Sequence, residues 1–463
     1  MNKSPDCIVK SNTQTDDNSR ERVNSYVIVR RFCKLFKTQY DSKHLVLLTV
    51  LCFGSVLTST AASLDGPFFP SVAEQRGISD SWIGVINGII NLGFIIGSIL
   101  SRYLLSRYKP KNVLKICVFI FGLSICGFGS LEWCFSAKYF IPIAIFIQLV
   151  IGFQMGTYFT TSYTIIYLEF TENLNQVYAK IEVYYSIGLI IGPPLAGFVF
   201  QLGETFGYGF CVPFYVFAFL ALVMTIVIHL TVKTETLYEN KGNISYWQLM
   251  SKGGILVNVL VTMNAGALIG FNTTTLELHL EDIANLSPSM VGLVFLISGV
   301  SLVTFNHIFE HLAHKIKQKY VISLIGCLSA LICLTIIGPI PMIEIEPQLY
   351  LVIISQIFLG LGISALLVGA FEQGTKENRN NVFVESSSTT AILSSLFTTW
   401  EALGDAFGPV IGGTLMESFD YSWSSFPFFA LQLILITIIT LFYLWRKFTN
   451  KKEDITLESV CYE

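Results

Sequence analysis

The 463 residues are 52% hydrophobic and only 13% charged, with a net charge of −3 and a mean hydropathy of +0.61. A soluble chain carries about 25% charged residues, so a water-facing surface of this size is excluded and a chain built mostly of membrane spans is implied. The net charge argues neither for nor against nucleic acid; with the length used up by membrane spans, no nucleic-acid partner is expected.

A span needs about 20 apolar residues to cross a ~30 Å hydrocarbon core. Twelve segments qualify, near 44–64, 82–101, 113–133, 140–165, 178–200, 210–230, 254–276, 289–309, 320–338, 349–371, 389–416 and 424–445. The polar residues 1–43 hold no apolar core of a cleavable leader, so the first span serves as the insertion signal. Lys and Arg then fix the orientation: 27 of the 29 fall on the side shared by both termini, and only Arg76 and Lys138 fall opposite. By the positive-inside rule both termini are cytosolic. Of the ten cysteines, Cys7, Cys33 and Cys461 lie in tails and most others lie inside spans, where Cys acts as a small apolar residue. Cys134 and Cys211 lie near helix ends on the same side, and a disulfide between them stays open.

The two halves of the chain carry the same punctuation. The fifth span reads Gly188-x-x-x-Gly192-Pro193-x-x-x-Gly197, and the eleventh repeats it 216 residues later as Gly404-x-x-x-Gly408-Pro409-x-x-x-Gly413. Gln148 and Gly152 of the fourth span answer Gln356 and Gly360 of the tenth at an offset of 208. Ile78-Ser79-x-Ser81-x-x-Gly84 answers Leu286-Ser287-x-Ser289-x-x-Gly292 at the same offset. The expected fold is therefore all-α: twelve transmembrane helices in two pseudo-symmetric six-helix bundles. The divisions are a cytosolic tail 1–43, a first bundle 44–230, a cytosolic linker 231–253, a second bundle 254–445 and a cytosolic tail 446–463. Glycines four apart share one helix face and let a neighbour approach closely, and Pro193 and Pro409 remove a backbone hydrogen bond and bend the helix.

Gly188-Leu-Ile-Ile-Gly-Pro-Pro-Leu-Ala-Gly197 resembles the fifth-helix antiporter motif of the drug:proton antiporter branch of the major facilitator superfamily. Ser63-Leu-Asp-Gly-Pro-Phe-Phe-Pro70, with Glu74, Gly77, Glu182, Phe206-Gly-Tyr208 and Pro213-Phe214, is similar to vesicular polyamine transporter-like proteins of solute carrier family 18. The resemblance spans about 44–445 and implies the major facilitator fold, a vesicle membrane and an amine substrate. The chain departs from the family at Ser101-Arg102 to Lys111, where the usual loop acid and glycines are gone. It departs again at Gln148, which replaces the arginine of the fourth helix. The mid-helix acid of the amine transporters is also absent, since Asp65 sits near the mouth, where ordinary solvation is expected.

An ionised carboxylate in hydrocarbon is costly, so intramembrane acids are functional candidates. Glu182, Glu401 and Asp405 qualify, the last two at an i, i+4 spacing on one face. No Lys or Arg lies in the interior of any span, so these acids must be protonated, hydrated, or paired with a cation that comes and goes. Gln148, Gln154, Asn87 and Asn91 are candidate cavity-lining residues, or else ordinary interhelical hydrogen-bonding groups. Tyr185, with Tyr163, Tyr184 and Trp400, offers aromatic faces to an organic cation. His229 and His307, at cytosolic span ends, are expected to be solvated.

No phosphate-binding glycine loop, paired metal-ligand spacing or nucleophile–base constellation appears. No cofactor, metal or enzymatic activity is expected. The partners expected are the lipid bilayer, protons and a small cationic molecule, for a monomer in a vesicle or plasma membrane. The leading reading is a proton-coupled antiporter of a polyamine or monoamine working by alternating access. An exporter of neutral or anionic solutes, and a transport-inactive sensor or scaffold of the same fold, are the alternatives.

Overall fold

The computed structural model describes residues 42–170, 174–232, 250, 253–284, 286–316, 319–338, 348–380 and 387–460. By its contacts the chain forms two units, Met1–Val50 and Leu51–Glu463. Of the first, the described residues are the opening turns of α1, 42–50. All that follows concerns the second. Residues 233–249 and 251–252 of the expected linker and residues 1–41 of the N-terminal tail lie outside the described residues.

Among the described residues there are twelve long helices and one short one. They are α1 (Ser42–Ala62), the short α2 (Phe69–Gln75), α3 (Asp80–Arg107), α4 (Pro110–Gly129), α5 (Ala137–Glu169), α6 (Leu174–Glu204) and α7 (Cys211–Thr231). The second set is α8 (Gly253–Ala284), α9 (Pro288–Lys315), α10 (Tyr320–Ile337), α11 (Leu349–Asn380), α12 (Ser387–Ser418) and α13 (Tyr421–Val460). Eleven are long and apolar enough to cross a membrane. The twelfth, α12, has 32 residues but is diluted by Glu401, Asp405, Glu417 and a run of hydroxyl side chains.

Several helices outrun their apolar cores. α8 extends eight residues beyond the expected end at 276, taking in Glu277. α11 continues past 371 through Glu377, and α13 continues through 446–460, where a polar tail was expected. Apolar length locates a span in the hydrocarbon; it does not mark where helical hydrogen bonding stops.

The packing repeats as the punctuation does. α3 lies on α5 as α9 lies on α11, and α4 lies on α7 as α10 lies on α13. Two further pairings, α3 with α12 and α6 with α9, join the first six spans to the last six. One end of the bundle carries Arg102, Arg107, Lys319 and Lys376; the other carries Glu74, Asp80, Glu204, Glu281 and Glu417. We call these the basic and acidic ends. At the acidic end Gly77 (φ 74°) and Gly207 (φ 79°) turn the chain into α3 and toward α7 in a left-handed conformation that suits glycine.

The repeated motif explains the seam. Gly188 and Gly192 face Ser59 of α1 and Ser63 just past its end, while Gly404 and Gly408 face the backbone of α8 at Met263 and Ala267. Pro193 then meets Gly292 of α9, Gly197 meets Pro288, Pro409 meets Gly84 of α3, and Gly413 meets Asp80. Each copy thus packs its glycine pair within its own half and its proline and last glycine against the other half. A Cβ at Gly404 would run into the carbonyl oxygen of Met263, whereas at Gly127 its nearest neighbour is 3.6 Å away. Overpacking of this kind costs about 1–3 kcal/mol. Gly404→Val should therefore lower the melting temperature of detergent-purified protein by several degrees and Gly127→Ala should leave it unchanged, as read by tryptophan fluorescence. Equal melting of the two variants would contradict this account of the seam.

Candidate transport site at the seam

Asp405 is the sequence-predicted acid with the clearest setting. It lies half-buried on α12, takes a hydrogen bond from Asn91 of α3, and sets its Oδ1 against the bare face of Gly270 on α8. Three helices from both halves converge on this carboxylate because Gly270 has no side chain to fill the space. One turn away, Asn87 Nδ2 donates to Thr274 Oγ1 of α8 at 3.2 Å, and its own Oδ1 is buried without a hydrogen-bond partner. Such an orphaned buried acceptor is costly, and it faces the same seam.

The other candidates separate. Glu401 is half-buried one turn toward the basic end from Asp405, its backbone pressed on Gly266 of α8. Glu182 lies on α6, but its side chain falls outside the described residues. Gln148 is buried and donates to Asp65 Oδ2 at 3.1 Å, which corrects the expectation of ordinary solvation for Asp65. Gln154 is buried too, but what it offers is its backbone oxygen, which accepts from Cys117. Tyr185 packs edge-on against Phe159 with ring centroids 4.8 Å apart, and Tyr163 lies against Tyr178 at 5.1 Å. Cys134 and Cys211 are free thiols, so no disulfide joins them. His229 is exposed, and so is His307, which pairs with Glu310 at 3.6 Å.

Two buried acids escaped the sequence reading. Glu377 accepts from Tyr320 Oη at 3.2 Å and from Gln373 Nε2 at 2.7 Å at the basic end. Glu277, 4% exposed, accepts the backbone N–H of Ser71 at 3.1 Å and the Ser71 hydroxyl as well. Both sit just past the apolar stretches that defined the expected spans. A repeat signal for Glu277 was present: Leu276-Glu277 follows Leu64-Asp65 by 212 residues, between the two offsets already seen.

The short α2 is anchored firmly to the first half. Phe68 stacks on Phe200 at 4.6 Å, and Phe69 packs against Phe128, Phe140 and Phe210. Arg76 lies over the rings of Phe140 and Phe210, donates to Leu131 O at 2.7 Å and pairs with Glu132 at 3.8 Å. The Ser63–Pro70 and Pro213-Phe214 stretches thus build an aromatic plug.

Burial raises the Asp65 carboxyl to about 6, against the opposing pull of the Gln148 amide and the neighbouring backbone N–H groups. Burial, then the charge of Asp80, raises Glu74 to about 7. Each group holds its proton more tightly in the folded chain than in the unfolded one, so stability falls as pH rises through these windows. The melting temperature should decline between pH 3.8 and about 6 on account of Asp65, and Asp65→Asn should flatten that part of the curve. An unchanged slope in the variant would remove this assignment.

The Major Facilitator Superfamily model matches residues 51–383. The mouse MFS-type transporter SLC18B1 is 29% identical over 85% of this chain and 84% of its own. The human protein of that name is 28% identical over 78% of each chain. Multidrug resistance protein 2 of Bacillus subtilis is 22% identical over 84% of this chain and 91% of its own. Among solved structures, an inward-facing, unoccupied bacterial homolog of the human lysosomal transporter Spinster superposes with a TM-score of 0.70 at 11% identity, covering 87% of this chain and 97% of that one. The nucleoside transporter NupG gives 0.63 at 13% identity, covering 86% and 99%. The repeated seam, the twelve long helices and these likenesses lead to one conclusion: the chain is a multi-pass membrane transporter belonging to the Major Facilitator Superfamily.

Proposed function

We propose that this transporter exchanges protons for a small organic cation of the amine class, by rocking its two halves about the seam. The observation that carries the reading is Asp405, an acid at the meeting of α3, α8 and α12 whose partner is an amide and not a fixed cation. A permanent Lys or Arg would neutralise the carboxylate in every state. An amide donor holds it while leaving the charge to be satisfied by a proton in one state and a cationic substrate in another. Asn91, Asn87 and the acid Glu401 line the same stretch of the seam, and the sequence resemblance to the polyamine transporter-like group supports an amine over a neutral solute. The positive-inside rule puts the basic end in the cytosol, so the acidic end faces the vesicle lumen or the cell exterior.

Proteoliposomes with a proton gradient and labelled spermidine or serotonin provide the test. Wild-type protein should accumulate one of these amines in a gradient-dependent way. Asp405→Asn should reduce that uptake by about tenfold or more, as expected for removing one partner of a buried charge interaction. Full uptake by the variant, or uptake of neither amine by correctly oriented wild type, defeats the proposal.

A further inference from the structure

Among the described residues, three polar links join the halves at the acidic end: Ser71 to Glu277, Ser289 to Gln201 at 2.6 Å, and the backbone N–H of Ser81 to the exposed Glu417 at 3.2 Å. Only the first sets a buried carboxylate against its partner. We propose that Glu277 is the latch residue of the transport cycle: its carboxylate ties α8 to α2 through Ser71, and this tie is broken each time the acidic end opens.

The two sides of the tie belong to different bodies. Ser71 is carried by α2, which the aromatic plug and Arg76 fix to the first half, while Glu277 is part of the long helix α8. The bond is therefore strained by any separation of the halves at this end and by no motion within one half. Its pseudo-symmetric counterpart behaves differently. Asp65 takes its hydrogen bond from Gln148, a residue of its own half, so that bond survives rocking.

Glu277 is also reachable. A cavity of about 240 Å³ at the acidic end is lined by Glu277, Ser71, Gln75, Glu204 and Glu281. The charged groups facing Glu277 from the surrounding elements are Glu74 on α2, Glu204 on α6 and Glu281 on α8, all acidic. The α9 residues at the cavity, Pro288 and Val291, carry no charge. With no cation among these neighbours, the two Ser71 donors are the main compensation for the charge while the end is shut, and water takes over when it opens.

The test reads the opening directly, without substrate. Spin labels at Lys138 and Asp420, both exposed at the acidic end on opposite halves, report their separation by pulsed electron resonance in a background lacking reactive cysteines. The wild type at neutral pH should show one short distance. Ser71→Ala and Glu277→Ala should each raise the long population about tenfold at neutral pH, since hydrogen bonds to a charged group are worth roughly one to two decades in an equilibrium constant. The double variant should not exceed Glu277→Ala, which already removes both bonds, whereas Ser71→Ala keeps the one from its backbone N–H. Glu277→Asp should restore the short distance.

Distances unchanged in both alanine variants overturn the latch. So does an equal opening by Glu277→Ala and Glu277→Asp, which would reduce Glu277 to packing. Ser71→Ala removes only a hydroxyl, so a failure of Glu277→Ala to fold leaves the test standing. The latch rests on rocking about the seam and not on the amine substrate: opened distances together with no amine uptake would remove the substrate reading and keep the latch.

Discussion

Backbone-to-backbone contact at the two Gly-Pro helices is the constraint from which the rest of this molecule follows. Between helices in lipid there is no hydrophobic gain to be had, because the tails are as apolar as leucine; what holds spans together is close packing and hydrogen bonding. α6 and α12 meet that demand on two sides at once. Their glycine pairs press on α1 and α8, and their prolines and last glycines press on α9 and α3. The surfaces brought together between the halves are therefore smooth. With few side chains interdigitated across these crossings, one half can tilt on the other as a body, which is the kind of motion that alternating access requires.

On this smooth seam the polar contacts stand out by their chemistry. Asn91 meets Asp405, Asn87 meets Thr274, Gln201 meets Ser289, Ser71 meets Glu277, and Arg102 meets Ser395 at the basic end. In these contacts each acid meets a neutral donor, and the cation meets a hydroxyl. Full ion pairs across the seam would cost a great deal to separate in a low-dielectric setting. Neutral donors to charged acceptors give enough to define a closed state and little enough that water or a proton can replace them. A moving interface calls for that intermediate strength.

The sequence made the architecture legible because the physics of lipid leaves few choices: apolar length sets the number of spans, lysine and arginine set the ends, and the repeated Gly-Pro pattern sets the duplication. It also singled out Asp405, since a carboxylate amid apolar residues is conspicuous. What it missed sits where those rules lose force. Glu277 and Glu377 lie past the last apolar residue of their spans, and hydropathy cannot distinguish a helix end in water from one buried under a neighbour. Asp65 was read as solvated for the same reason. Its burial depends on Gln148 from a helix more than eighty residues away in sequence, and no local pattern reports that pairing.

The pseudo-symmetry is kept in the backbone and abandoned in the polar partners, and the difference has a direction. In the first half the amide Gln148 holds the acid Asp65, a closed pair within one body. In the second half the equivalent amide, Gln356, pairs with Asn272 instead, through bonds of 3.0 and 3.3 Å. A second amide pair, Asn264 with Gln432, binds α8 to α13 with bonds of 3.0 and 2.8 Å. These neutral pairs fix α8 inside its own half without using its acid. Glu277 is thereby left to find its donor across the seam. A duplicated bundle that had kept Asp65-type pairing in both halves would hold these acids internally, and its two bodies would have no buried charged contact to make and break at this end. Divergence at a few polar positions, on a backbone packing that glycine does not allow to change, is enough to turn a symmetric scaffold into one with a distinct closed state.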